Sequence, residues 1–199
     1  MELTEGEVYH IYNRGNNGQQ IFFSSDNYYY FLKKLQKELL PHCNVLAYCL
    51  MPNHFHLMVK IKGIESNSTI SRSLNVAIGI LLRSYTRAIQ RQQNIKGSLF
   101  QQKTKAKRLK GGTNDTINYP AICLHYIHQN PLRAGSVDRL QDWEFSSYAM
   151  YAGIIEGFCN VEAGFSITGI QKENFVKESL EMIPEVSSDD YERVRIVLG

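Results

Sequence analysis

The sequence predicts an α+β protein with the ferredoxin-like split βαβ order, β-α-β-β-α-β, followed by a further helix. Three observations predict it. Strand-like and helix-like segments follow one another in this order, two of the strands meet at a break typical of a hairpin, and the longer segments show helical apolar spacing. In such a fold an antiparallel sheet carries helices packed on one face. The fold class hosts many functions and decides none of them.

The first strand and the first helix have clear boundaries. Residues 7–14 (EVYHIYNR) are rich in aromatic and branched side chains and end at Gly15, which predicts a strand. Residues 24–26 (SSD) offer N-caps for a helix that runs to about Leu40, where Pro41 ends it. The chain therefore opens with a strand followed by a helix.

The second and third strands are predicted to form a hairpin. Residues 44–51 (NVLAYCLM) are an apolar run of strand length, Pro52 and Asn53 interrupt it, and residues 54–61 (HFHLMVKI) resume it. A two-residue break between two such runs is typical of a tight turn, so we expect the two strands to pair antiparallel.

Two further helices and one short strand complete the pattern. Apolar residues repeat at helical spacing over residues 69–93, and residues 104–109 alternate lysines with smaller side chains, as a half-exposed strand does. Pro120, in a favoured first-turn position, opens a helix that extends to about Asn130. We expect Pro131 to end this helix.

Composition excludes several classes of protein. The chain has 199 residues, of which 43% are hydrophobic and 21% charged, so disorder, collagen and coiled coil do not describe it. No apolar run approaches the roughly 20 residues of a membrane helix, and acidic residues stand where a signal peptide needs positive charge. The four cysteines lack paired metal-binding spacing, which indicates reduced thiols in a cytoplasmic protein with no membrane partner.

Charge is distributed unevenly along the chain, and this predicts a phosphate-rich partner. Residues 66–114 contain ten Lys and Arg and no acidic residue, although the net charge is only +3. Such a run is typical of a surface that follows phosphates, whereas a solvated face without a partner usually mixes both signs. Together with one arginine near the start, the predicted nucleic-acid-binding residues are Arg14, Arg83, Arg87, Lys103, Lys105, Lys107, Arg108 and Lys110.

Two histidines on the third strand are candidate metal ligands. His54 and His56 flank Phe55, and alternate residues of a strand point to the same side about 6.8 Å apart. Both imidazoles can therefore reach one cation. The alternative is that the pair is incidental, as histidines at this spacing in a strand usually are.

A tyrosine and an asparagine on the last helix form the second candidate pair. Tyr126 and Asn130 are four residues apart, so they share a helix face and can supply a nucleophilic hydroxyl and an amide oxygen ligand. The alternative is structural, with Tyr126 in the core and Asn130 near the helix end. His125 and His128 lie off that face, and we interpret them as surface side chains or as supports of the site.

Five segments taken together resemble one protein family. They are YHIYNRGN, LMPNHFHLMV, LFQQKTKAKRL, YIHQNPLRAG and DWEFSSY, and they occur in this order between Val8 and Tyr151. The combination resembles the REP-associated tyrosine transposases, which belong to the HUH superfamily of single-tyrosine transposases. HFH alone is unspecific, but its pairing with YIHxNP on a later helix is specific.

The resemblance implies a metal-dependent enzyme that acts on single-stranded or hairpin DNA. It assigns the metal ligands to His54, His56 and Asn130, the divalent cation to Mg²⁺ or Mn²⁺, and the nucleophile to Tyr126. It also implies a covalent 5′-phosphotyrosine intermediate that a 3′-hydroxyl later attacks. No nucleotide cofactor is then needed, and the chain contains no GxxxxGK[ST] phosphate-binding pattern.

The resemblance also divides the chain. It implies a catalytic domain over residues 1–153, in which the helix that Pro120 opens is the catalytic helix. Residues 154–199 remain an acidic extension of unknown role, with helices expected at 172–182 and 188–197.

Other functions remain open from the sequence. The chain can be a ferredoxin-like nucleic-acid-binding module without catalysis, or a related replication-initiator or relaxase-type nickase. A mobile enzyme and a domesticated one have the same sequence pattern. The pattern also leaves open a monomer or a homodimer, and whether Tyr126 serves its own chain or a partner.

Overall fold

The computed structural model describes residues 3–63, 74–109 and 118–181 of the chain. Within these ranges the chain forms four strands, six helices and two short 3₁₀ turns. The strands are β1 (Val8–Arg14), β2 (Cys43–Met51), β3 (His54–Ile61) and β4 (Lys105–Arg108). The helices are α1 (Ser25–Leu39), α2 (Leu74–Gln93), α3 (Tyr119–Arg133), α4 (Tyr148–Tyr151), α5 (Val161–Thr168) and α6 (Phe175–Leu180).

The strands form one antiparallel sheet in the order β2-β3-β1-β4. β3 and β1 lie side by side at its centre, and Pro52 and Asn53 make the turn of the β2–β3 hairpin, as predicted. The order of strands and helices along the chain confirms the α+β, ferredoxin-like prediction. The predicted strands agree with the observed ones to within one residue at each end.

Helices cover both faces of the sheet. Phe31 of α1 and Tyr85 of α2 belong to the core on one face, as the expectation of helices on a single face requires. That expectation is corrected by α3, which covers the opposite face and packs Leu124 into a second core with Leu46 and Met58. The reason is that β2 and β3 are apolar on both faces, so both faces must be shielded from water.

Helix α3 carries the candidate tyrosine and runs past a proline. Pro120 lies in its first turn, as predicted. Pro131 was expected to end the helix, but α3 continues to Arg133, and Ala134 N–H donates to Asn130 O at 3.0 Å. A proline this close to the end removes a single N–H donor, and the residues after it keep their own hydrogen bonds.

The C-terminal helices α5 and α6 pack against α3. Phe175 of α6 is fully buried, and its ring centroid lies 5.9 Å from that of His125 and 5.7 Å from that of His128. Gln129 Nε2 donates to Ser179 O at 3.1 Å. The helix that carries the candidate tyrosine is therefore supported by α6 from its outer side.

The sequence analysis predicted two helices and a domain boundary in the C-terminal part of the chain. The helix expected at residues 172–182 corresponds to α6, whereas the helix expected at 188–197 lies outside the described residues. The division into a catalytic domain at 1–153 and an extension at 154–199 stays a prediction. In the structure α5 and α6 share the second core with α3.

The interior also contains the thiols. All four cysteines are buried and free. Burial raises the pKa of the Cys43 thiol to about 12, so this thiol stays protonated near neutral pH. Within the ranges that the structure describes, no helix combines the length and the apolar character needed to span a bilayer.

Phe175→Ala is expected to lower the free energy of unfolding by about 3–5 kcal/mol, because a fully buried ring is replaced by a cavity between α6 and α3. Urea unfolding followed by circular dichroism measures the change. The control is Val176→Ala, whose side chain is 44% exposed, and we expect it to stay within about 0.5 kcal/mol of wild type. Equal unfolding midpoints for the two variants would contradict the docking of α6.

Candidate active site

The sheet brings the two predicted histidines opposite the end of β1. Tyr12 faces His56 and Arg14 faces His54 across the β1–β3 pair, so these side chains share the face that α3 covers. A cavity of about 410 Å³ opens there. Its wall contains Tyr12, Asn13, Arg14, Asn53, His54, His56, Gln101, Lys103, Lys105 and Tyr126. Residues predicted for three different tasks, metal binding, nucleophilic attack and phosphate binding, therefore meet at one place.

His54 lies between two side-chain oxygens. Its Nδ1 is 2.7 Å from Asn53 Oδ1, and its Nε2 is 3.1 Å from Asn130 Oδ1. Asn130 Nδ2 donates to Tyr126 O at 3.1 Å, which directs Oδ1 of the same amide toward His54. Burial lowers the pKa of His54, and a neutral imidazole has one N–H and can donate to only one of the two oxygens. In the other contact a lone pair of the imidazole faces a side-chain oxygen. Two such electron-pair donors side by side are typical of ligands that share one cation.

His56 is paired with a histidine that the sequence patterns did not single out. His10 Nε2 lies 2.9 Å from His56 Nδ1, and both side chains are buried. Burial is the main cause that holds the pKa of His56 well below its ordinary value, and the neighbouring His10 is the second. With Nδ1 engaged, His56 has Nε2 for a cation. The one signal in the sequence is period-two spacing, which puts His10 on the same face of β1 as Tyr12 and Arg14.

Tyr126 reaches the site from α3. Its ring centroid lies 5.3 Å from that of His56, with the two planes at 82°. Burial raises the pKa of the Tyr126 phenol, while the Asn130 side chain and Arg133 act in the opposite direction. The Arg133 guanidinium carbon lies 6.0 Å from the centre of the tyrosine ring. The phenol is therefore protonated at neutral pH and has to lose its proton when it attacks.

Tyr12 is a second phenol in the cavity wall, and the sequence patterns missed it too. Its hydroxyl is buried and has no hydrogen-bond partner among the described residues. Burial raises the pKa of Tyr12, and the nearby Tyr126 raises it further. A buried hydroxyl without a partner is costly, so Tyr12 is a candidate hydrogen-bond donor to a bound substrate.

Three of the eight predicted basic residues line this cavity, and a fourth lies beside it. Arg14, Lys103 and Lys105 line it. Lys107 lies on the same face of β4 as Lys105, and the ammonium groups of both lysines are 5.6 Å from the centre of the Tyr12 ring. Their positive charge is therefore concentrated on the side where the two phenols and the histidines meet.

The other predicted basic residues lie elsewhere. Arg108 is on the opposite face of β4, where its Nε donates to Glu7 Oε2 at 2.7 Å. Arg83 and Arg87 of α2 line a second cavity of about 510 Å³. Lys110 lies outside the described residues. The described part of the basic run is therefore divided between the two cavities and the opposite face of β4.

The two cavities are neighbours. Asn13 and Gln101 line both of them. Asn13 Nδ2 donates to Gln101 O at 3.2 Å and to Thr104 Oγ1 at 2.9 Å, which ties the end of β1 to the segment before β4. The histidine-containing cavity and the cavity with the two arginines of α2 therefore share part of their walls.

The interpretation of His125 and His128 as surface side chains is corrected. His128 is fully buried, with Nε2 2.8 Å from Ser147 Oγ, and burial lowers its pKa to about 3. His125 is half-buried, with Nδ1 3.2 Å from Ser179 Oγ. Both pack against Phe175 because they lie on the side of α3 that faces α6. They support the helix and do not border the cavity.

Residues 6–130 match the profile of a family described as Transposase IS200 like. This range is more than half of the chain and contains all three candidate metal ligands and Tyr126. A curated protein of Haemophilus influenzae, named as a REP-associated tyrosine transposase, is 26% identical over 111 residues. The alignment covers 52% of this chain and 57% of that protein, so the chain spans little more than half the length of the curated relative.

A solved structure shares the fold. It is that of a REP-associated tyrosine transposase bound to a REP hairpin, and it superposes with a TM-score of 0.54 at 16% sequence identity. The superposition covers 78% of this chain and 86% of the other. At this identity the likeness concerns the fold alone, and it agrees with the α+β architecture described above.

Proposed function

Because the chain belongs to the family of IS200-like transposases, and is by that membership a DNA-acting enzyme, we propose that it cuts and rejoins single-stranded or hairpin DNA through a covalent bond to Tyr126. One observation carries the proposal. A phenol, two imidazoles and an amide oxygen converge beside a basic cavity, and they belong to Tyr126, His54, His56 and Asn130. Hairpin DNA is included because the similar solved transposase is bound to a REP hairpin.

His54, His56 and Asn130 are the residues that would hold a divalent cation, Mg²⁺ or Mn²⁺. Two neutral nitrogens and one amide oxygen leave the charge of the ion undiminished and leave positions for phosphate oxygens. The contacts of His54 support this fit, because a neutral His54 has one N–H for two side-chain oxygens, and His54 and Asn130 would both be able to hold a cation. Within the described residues, no cluster of three or more His, Cys, Asp or Glu side chains competes for the metal. A cation held by these residues would polarise the scissile phosphate and stabilise its developing charge.

Tyr126 forms and later releases the covalent bond. Its Oη attacks phosphorus, the bond from phosphorus to the 3′ oxygen of the preceding nucleotide breaks, and the leaving oxygen takes up a proton as the phenol loses one. The products are a 5′-phosphotyrosine ester and a free 3′-hydroxyl. A 3′-hydroxyl then attacks the ester, which rejoins DNA and restores the phenol. The ester conserves the bond energy, so the reaction consumes no nucleotide.

The basic side chains are assigned to the DNA backbone. Arg14, Lys103 and Lys105 border the cavity where the scissile phosphate has to lie. Arg83 and Arg87 border the adjoining cavity, so a single strand that leaves the first cavity can continue along α2. Charge along such a path binds phosphates of any sequence and accounts for affinity rather than for sequence preference.

Incubation of the full chain with Mn²⁺ and hairpin oligonucleotides tests the proposal. An oligonucleotide labelled at its 3′ end should give a labelled protein band that survives denaturing electrophoresis, because the label stays with the 5′-phosphotyrosine fragment. The same oligonucleotide labelled at its 5′ end should release a free fragment instead. Chelation should prevent both results. Tight hairpin binding in Mn²⁺ without any covalent adduct would favour a binding module without catalysis.

The lysines in and beside the cavity should govern the salt dependence of DNA binding. Each phosphate contact contributes about 0.7 to the slope of log K against log salt for a single strand, so three lost contacts should flatten the slope by about two units. The triple alanine variant of Lys103, Lys105 and Lys107 tests this by fluorescence anisotropy across a salt series. The control is a triple alanine variant at exposed positions outside both cavity walls, Lys33, Lys37 and Lys172. Equal slopes for the two variants would place the DNA elsewhere.

A further inference from the structure

We propose that His10 is a positioning residue that accepts a hydrogen bond from His56 and so holds the ring of His56 with Nε2 aimed at the cation. The proposal deepens the function proposed above and rests on it, because His56 is a metal ligand only in that scheme. It concerns a side chain of β1 that contributes nothing directly to the ligand set.

The imidazoles of His10 and His56 are in direct contact. His10 Nε2 is 2.9 Å from His56 Nδ1, a hydrogen-bond distance, and His10 is 0% exposed. The two rings are inclined by only 21° with centroids 5.0 Å apart. Since His10 cannot reach solvent, its contact with His56 is set by the fold and not by chance packing at the surface.

The contact fixes which nitrogen of His56 carries the proton. A metal ligand needs an unprotonated nitrogen, so a neutral His56 that binds through Nε2 carries its proton on Nδ1. That proton needs an acceptor, and the unprotonated Nε2 of His10 is the atom in place. The opposite arrangement, with His10 as the donor, puts the proton of His56 on Nε2 and blocks the metal position. The contact with His10 therefore favours the tautomer of His56 that can bind a metal through Nε2.

The surroundings hold His10 in this orientation. Its ring stacks on that of Tyr12 with centroids 4.8 Å apart, and the ring of Tyr126 is nearly perpendicular to it with centroids 6.2 Å apart. Lys107 stands opposite His10 in the β1–β4 pair, so the histidine lies between two strands and below α3. Rings on both sides leave the imidazole little freedom to rotate away from His56.

Substitutions that keep or remove the acceptor test the proposal. The amide of Gln in H10Q can place an oxygen near the position of His10 Nε2, whereas the shorter side chain in H10N cannot reach it and H10F has no acceptor. Mn²⁺ binding to the full chain is measured by isothermal titration calorimetry, with thermal unfolding recorded for each variant. The matched control is H128N, which changes another fully buried histidine, one that contacts Ser147 and lies outside the cavity.

H10Q and H128N should bind Mn²⁺ as tightly as wild type, and H10N and H10F should bind it roughly 10- to 100-fold more weakly. Mn²⁺ affinity should depend on whether the side chain at position 10 keeps a hydrogen-bond acceptor, and not on the unfolding temperature of the variant. Wild-type affinity in a folded H10N or H10F, or weak binding by H10Q, would overturn the positioning role. If neither loss variant folds, imidazole ¹⁵N spectra of the metal-free wild type decide, since the proposal requires the His56 proton on Nδ1.

Failure of this inference is distinguishable from failure of the proposed function. A wild-type chain that forms a Mn²⁺-dependent adduct, with His10 variants that bind the metal normally, removes only the positioning role. A wild-type chain that binds no Mn²⁺ removes the metal assignment itself, and the role of His10 with it.

Discussion

Tyr126→Phe is expected to abolish DNA cleavage and the covalent adduct together, while hairpin affinity and folding stay close to wild type. The substitution removes one oxygen from a half-buried ring, so the packing between α3 and the histidines hardly changes. Without that oxygen no phosphotyrosine can form, and the scheme contains no activated water to replace it. Single-turnover cleavage of a labelled hairpin, with anisotropy for binding, measures both parts of the prediction.

Two matched tyrosine variants control for this result. Tyr119→Phe lies on the same helix outside the cavity wall and should cleave like wild type. Tyr12→Phe removes the other phenol of the cavity, so it should still form the adduct, at a reduced rate if its hydroxyl contacts the substrate. Adduct formation by Tyr126→Phe, or its complete loss in Tyr12→Phe alone, would show that the nucleophile is misassigned.

The second large effect is expected from the His54→Ala, His56→Ala double variant. Both nitrogen ligands are lost, so calorimetric binding of Mn²⁺ should disappear. Cleavage should fall by a factor on the order of 10² to 10³ or more, because metal stabilisation of the transition state is worth several kcal/mol. Hairpin binding through the basic side chains should persist, since those residues lie on other parts of the cavity wall.

The folding of the double variant is measured together with its metal binding. His56 is buried, but the double change leaves every side chain of the two apolar cores in place, so circular dichroism should show a folded double variant. His125→Ala is the control, because that imidazole contacts Ser179 on the far side of α3 and should leave Mn²⁺ binding intact. Mn²⁺ affinity that survives the double change would locate the ion at other side chains.

The fold was largely predictable because its signals are local. The β2–β3 hairpin follows from two apolar runs around Pro52 and Asn53. The three long helices α1, α2 and α3 each have an N-cap, a proline or helical apolar spacing in the sequence. The side of the sheet that α3 covers was not predictable, since β2 is apolar at both alternating sets of positions. The prediction that Pro131 ends the helix was also wrong, because a proline in the last turn destabilises a helix less than one in the middle.

The candidate site was predictable only in part. Strand spacing relates His54 to His56, and helical spacing relates Tyr126 to Asn130, but no local rule joins the two pairs. Their association came from resemblance to a family, and the fold then places them at one cavity. His10 was missed because its meeting with His56 depends on the register between β1 and β3.

The same limit applies to the basic residues. Charge along the sequence marks Lys105 and Arg108 alike, yet β-strand alternation turns them to opposite faces, one toward the cavity and one toward Glu7. Glu7, the partner of Arg108, is 101 residues earlier in the chain, and no sequence motif connects the two. Sign and density of charge predict a phosphate-binding surface, but strand geometry decides which members of the run belong to it.

The central claim, that Tyr126 bonds covalently to DNA, is tested most directly by mapping the adduct. The full chain is incubated with a hairpin oligonucleotide and Mn²⁺, digested with nuclease and protease, and sequenced by tandem mass spectrometry. We expect the nucleotide-phosphate mass on Tyr126, within a peptide that also carries Tyr119 in unmodified form. The same mass on Tyr12, Tyr119, Tyr148 or Tyr151 would contradict the account.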